Sequence, residues 1–131
     1  PSDLKTGIIN TKVISGHGST NGETNFVSTD KLYLLSTKEV WGDVRVNSIS
    51  SDSAKLETRQ LDYYDKKKVA LNSSTVSDAK KILNEEVYSW WLRAARLCDS
   101  KHFYLVSTEG LSICNYDENE IYGVSPAFRI G

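Results

Sequence analysis

The chain contains no methionine, and only two prolines, two cysteines and two histidines among its 131 residues. A primary translation product begins with methionine, so its absence predicts a processed form or an excised piece of a larger protein. No apolar run approaches the ~20 residues that span a bilayer, which argues against membrane insertion. No signal peptide is present to report export directly. Neither sign of charge dominates: 16 Lys and Arg face 17 Asp and Glu, for a net charge of −1. A nucleic-acid surface normally shows as a basic stripe. The single basic run, Lys66-Lys67-Lys68, sits beside Asp62 and Asp65 and reads as a solvated turn. Two cysteines do not define a redox compartment. A Cys98–Cys114 disulfide would close a loop of about fifteen residues, for which chain entropy gives ~3 kcal/mol. The alternative, which we favour, is a pair of free buried thiols.

What remains is the material of one domain with a modest core. Leu4, Ile8, Ile9 and Val13 are spaced for one buried face or a short strand. The stretch 15–25 is a polar, glycine-rich loop. Residues 31–35, Lys-Leu-Tyr-Leu-Leu, read as a buried strand. Ser36-Thr37-Lys38-Glu39 fits a capping box, in which serine accepts a free amide while the glutamate reaches back. It opens a short helix carrying Val40 and Trp41 and stopped by Gly42. A second helix is expected over about 53–64, where Leu56, Leu61 and Tyr64 recur near helical spacing. Residues 77–83 fit a helix or an inserted loop.

The last third is rich in strand signals. Trp90-Trp91-Leu92-Arg93 forms one strand. Residues 102–107 and 111–115 form a hairpin around Thr108-Glu109-Gly110, with glycine supplying the positive φ. Residues 115–120 form an acidic turn, and Ala127-Phe128-Arg129-Ile130 closes the chain. Pro126 lacks a donor and marks a strand start or an edge. Short helices followed by a C-terminal antiparallel sheet define an α+β fold.

Catalytic chemistry finds little support. There is no G-x-S-x-G, and a serine nucleophile would need His17 or His102 as its base. Each is more simply a polar surface residue. Cys98, His102 and Cys114 offer three zinc ligands where a structural site needs four. Asn115, Asp117, Glu118, Asn119 and Glu120 are oxygen ligands of the kind calcium takes, but an acidic turn is commonly just solvated. No metal or cofactor is expected.

The aromatics carry more. Adjacent strand residues point to opposite faces, so Trp90 and Trp91 serve two surfaces. We assign Trp91 to the core with Phe103 and Phe128, and Trp90, Tyr104, Tyr116 and Tyr122 to a ligand-binding face, although alternation alone equally allows the two tryptophans to be exchanged. Aromatic rings with a polar edge grip sugars and proteins alike. Arg93 and Arg129 lie in apolar strands and need partners if buried. Glu39, Asp43 and Asp62 are available, so a structural ion pair is expected.

The ordered series Thr29-Asp30-Lys31-Leu32-Tyr33-Leu34-Leu35-Ser36, Trp90-Trp91-Leu92-Arg93, Phe103-Tyr104-Leu105-Val106 with Glu109-Gly110, and Gly123-Val124-Ser125-Pro126-Ala127 resembles an uncharacterised bacterial domain family. Its members carry T-D-K-V-F-L-L-S, W-W-L-R-S and G-V-R-P-A in secreted, surface and prophage-type proteins. The resemblance covers about residues 2–130. Ser125 stands where relatives usually carry arginine, and Ala94 where they carry serine. The family's upstream W-L-N segment does not appear, so the fragment is expected to need that segment, from its parent or from a second chain.

The closing strand–turn–strand and apolar-Phe-Arg end look like those of C-type-lectin-like folds, which formylglycine-generating-enzyme-like domains share. What the resemblance implies is a non-catalytic recognition or adhesion domain, extracellular or at the cell surface, binding a glycan or a protein. The other implication is a formylglycine-generating-enzyme-like domain that keeps a small-molecule site.

Overall fold

A computed structural model describes residues 7–15, 26–42, 59–95, 102–114 and 121–131. Its strands are β1 (Ile8–Ile9), β2 (Thr11–Ser15), β3 (Phe26–Asp30), β4 (Lys81–Leu83), β5 (Glu86–Tyr88), β6 (Trp90–Ala95), β7 (Phe103–Val106), β8 (Ser112–Ile113) and β9 (Arg129–Ile130). The helical elements are α1 (Thr37–Trp41), α2 (Asp62–Lys66) and a 3₁₀ turn over Ser74–Ala79. The mixed α+β composition expected from the sequence is what the chain forms.

The expected order, helices before a C-terminal sheet, holds for β6–β7–β8 but not for β1–β3, which precede α1 and α2. β1 pairs antiparallel with β9, joining the two ends of the described chain. The remaining pairs are β2–β3, β4–β5 and the three-stranded antiparallel sheet β6–β7–β8.

β6 shows why the Trp-Trp segment is a strand. Trp90, Leu92 and Ala94 are buried while Trp91, Arg93 and Ala95 are half-buried, the two-residue period of a pleated strand with one face on the core. β2 alternates similarly, with Thr11, Val13 and Ser15 inward and Lys12 outward. α1 is short because both ends are fixed locally. The Ser36 side chain accepts from the Glu39 amide, the Glu39 carboxylate accepts from the Ser36 amide, and Gly42 stops the helix at φ 74.

The core joins α1, α2, the 3₁₀ turn and the central sheet through Leu35, Val40, Trp41, Tyr64, Val69, Ala79, Trp90, Leu92, Tyr104 and Val106. Two indoles fasten it: Trp41 donates to the Gly110 carbonyl at 3.1 Å, and Trp90 to the Ala79 carbonyl at 3.2 Å. The hairpin turn before β8 explains the first bond. Gly110 has φ 90, and a Cβ there would sit 2.1 Å from the Val76 carbonyl oxygen. No larger residue fits that approach.

Three local expectations change. Residues 31–35 are not a continuous strand; Tyr33 forms an isolated bridge with Ala127, and Leu32 is exposed. The helix expected over 53–64 is α2 at Asp62–Lys66, with 53–58 outside the described residues. Residues 77–83 split into the end of the 3₁₀ turn and β4, because Lys80 takes an extended conformation that ends the turn.

Candidate functional site

Trp90 and Trp91 do face opposite sides, but with the assignments exchanged. Trp90 is 1% exposed, its indole bonded inside the core. Trp91 is half-buried and meets Tyr122 edge-to-face at 5.4 Å. Tyr104 is likewise buried in the core rather than on a binding face. Phe128, expected inside, is 40% exposed because it follows the Ala127 bridge at the outer end of the chain. Phe103 is half-buried. Tyr116, Cys98 and the acidic turn at 115–120 lie outside the described residues. Cys114 is a free thiol packed against the core.

Arg93 is the hub of the buried polar structure. Its Nη1 donates to Glu39 Oε2 at 2.6 Å and to the Leu34 carbonyl at 2.7 Å. Its Nη2 donates to Glu39 Oε1 at 3.3 Å and to the Ile14 carbonyl at 3.0 Å, and Nε donates to the same carbonyl. Glu39 thus serves twice, as capping residue of α1 and as counter-ion. Of the carboxylates the sequence offered, Asp62 pairs with Arg59 and Asp43 lies outside the described residues, while Glu39 reaches Arg93. This bidentate pair ties β2, α1 and β6 together and is enclosed by protein, which makes it architecture. Arg129 instead is exposed on β9 and forms no ion pair among the described residues.

Two concavities flank the β6 strand. The first, about 440 Å³, lies between the β4–β5 hairpin and residues 121–125. Trp90 floors it; Leu83, Tyr88, Ile121, Tyr122 and Val124 form its walls, with Ser125 and Lys81 at the rim. The backbone fixes this geometry: Gly123 donates to the Ser89 carbonyl at 2.8 Å, and Trp91 donates to the Gly123 carbonyl at 2.9 Å. Lys81 Nζ lies 5.5 Å from the Trp90 ring centroid, a cation–π arrangement at the cleft edge. Several wall residues face water: Ile121 is 95% exposed, Ile82 and Val124 69%, and Leu83 63%.

The second, about 420 Å³, is lined by Phe26, Leu34, Trp91, Arg93 and Phe103. Among the described residues neither cleft is lined by histidine, cysteine or a carboxylate, and no three such residues gather to hold a metal ion. Of the three described residues expected to bind ligand, Tyr122 sits on a wall of the first cleft and Trp90 on its floor, while Tyr104 lies in the core.

The aliphatic half of the first cleft was not visible in the sequence. Its signal was weak: Lys81-Ile82-Leu83 and Glu86-Val87-Tyr88 are two short β-prone runs around a two-residue Asn84-Glu85 link. Both link residues have positive φ, 52 and 67, as a tight hairpin turn requires.

Fold and clefts define a small α+β domain with an open apolar cleft beside a buried arginine–glutamate clamp. The chain belongs to DUF6273, a family described as a domain of unknown function, whose model matches residues 1–131. Comparison with curated proteins and with solved structures returns no match. No described helix is long and apolar enough to cross a membrane.

Proposed function

We propose that the chain is a non-catalytic recognition domain of C-type-lectin-like fold from a bacterial secreted, surface or prophage protein, and that it binds an apolar protein segment. The observation that carries this is the first cleft, a preformed groove whose walls keep Leu83, Ile121 and Val124 in water. A small domain seldom leaves such side chains contiguous without a partner for them. Two rings, Tyr88 and Tyr122, add hydroxyl edges, but the remaining wall is aliphatic. Sugar binding relies on flat aromatic faces and converging polar groups, so a protein ligand fits this wall better than a glycan. The lectin-like assignment and the extracellular setting rest on the sequence resemblance alone.

Selecting a displayed random-peptide library and probing a glycan array with the same domain tests the proposal. The expected result is enrichment of apolar peptides whose binding is lost in Leu83→Asp and in Val124→Asp. Binding confined to glycans, or peptide binding indifferent to both variants, would overturn it.

A further inference from the structure

The β4–β5 hairpin also offers the outer edge of β4, whose Ile82 lines the cleft as well. Its register pairs Lys81 with Tyr88, Ile82 with Val87 and Leu83 with Glu86. In a two-residue hairpin the closing pair, here Leu83 and Glu86, bonds across the ladder, and antiparallel alternation turns the Ile82 N–H and C=O outward. Ile82 is itself 69% exposed, and among the described residues no strand pairs with the outer edge of β4, which has an apolar centre. Edges of this kind accept another strand unless guarded. The charged residue within β4, Lys81, turns over the Trp90 ring and leaves the edge unguarded.

The charges at the two ends of the hairpin say which strand fits. Lys80 is exposed at the base and Glu85 is exposed at the tip, and among the described residues neither side chain forms an ion pair. Reversing the strand about Ile82 exchanges the two ends. We propose that β4 is a dimerisation edge whose occupant is a second copy of this chain, paired antiparallel about a two-fold axis at Ile82. Ile82 then faces Ile82 of the other copy, and Lys80 lies opposite Asn84, one residue from Glu85. The Ile82 contact lies on the axis, and the Lys80–Asn84 contact occurs twice, as an isologous interface requires. The paired edge is short, well below the ~1,200–2,000 Å² of stable complexes, so the dimer is weak and forms with rising concentration. Ile82 is shared with the cleft, whereas the end charges Lys80 and Glu85 do not line it.

Charge reversal tests it through sedimentation of the full chain over a concentration series at low and high salt. The wild type should dimerise, and less so at high salt. Lys80→Glu and Glu85→Lys should each weaken self-association about tenfold or more, since each places two like-charged pairs across the axis. Mixed one to one, the two variants should dimerise as well as the wild type. The carboxylate introduced at 80 then meets the ammonium introduced at 85, while native Glu85 of the first copy meets native Lys80 of the second. A wild type that stays monomeric at high concentration would overturn the proposal. So would variants that dimerise alone like the wild type, or a mixture no better than either variant.

Discussion

Removing the Glu39 carboxylate should unfold the domain more readily than any surface change of equal size. The side chains of Arg93 and Glu39 are 10% and 9% exposed, so their charges are largely withdrawn from water. Glu39→Ala strands the guanidinium and also deprives the Ser36 amide of its 2.7 Å acceptor. Breaking a buried pair by deleting one partner costs about 3–5 kcal/mol. The Leu34 and Ile14 carbonyls still accept from Arg93, which places this case at the low end, near 3 kcal/mol. At about 4 °C per kcal/mol for a domain of this size, the melting temperature should fall by roughly 12 °C. Glu39→Gln keeps an acceptor for Ser36 and should lose about half as much, in line with charge-assisted bonds of about 1.5–3 kcal/mol. Urea unfolding followed by tryptophan fluorescence measures both variants. A loss under about 0.5 kcal/mol for Glu39→Ala would refute the clamp as a structural hub.

Gly110→Ala should destabilise by at least about 2 kcal/mol, from strained backbone and a blocked approach to Val76, readable as a lower urea midpoint. Trp90→Ala should cost about 3–5 kcal/mol and Trp91→Ala clearly less; equal losses in the same assay would contradict their different burial. Burial, aided by neighbouring Tyr63, pushes the Tyr64 hydroxyl up to about 12 from 10.0. The unfolded tyrosine ionises first, so this contribution is intact below pH 10 and is lost as pH rises toward 12, by about 1.4 kcal/mol per unit at most. Unfolding between pH 9 and pH 12 should show Tyr64→Phe with a shallower decline than the wild type, about one proton less per molecule.

Local chemistry was what the sequence made legible. The Ser36–Glu39 box, the stop at Gly42, the β6 strand and the hairpin closed by Gly110 each depend on residues within a few positions. Pairings between distant segments were hidden. Nothing near Ile8 announces that β1 meets β9, and nothing near Tyr33 announces its bridge to Ala127. The burial of the two tryptophans was exchanged because alternation fixes their opposition and leaves open which side holds the core. Ala79 and Lys81, well upstream of β6, decide that by enclosing Trp90. The cleft was half legible: Tyr122 was visible as an aromatic, whereas Ile82, Leu83, Ile121 and Val124 read as ordinary apolar residues until the hairpin set them in water.

Recognition through the cleft between the β4–β5 hairpin and residues 121–125 is the central claim. Mapping backbone amide shifts of the isotope-labelled domain on titration with a selected apolar peptide tests it most directly. The account predicts perturbations centred on Lys81, Ile82, Leu83, Tyr88 and residues 121–125. Perturbations gathered instead around Phe26, Leu34, Trp91 and Phe103, the lining of the second cleft, would contradict it.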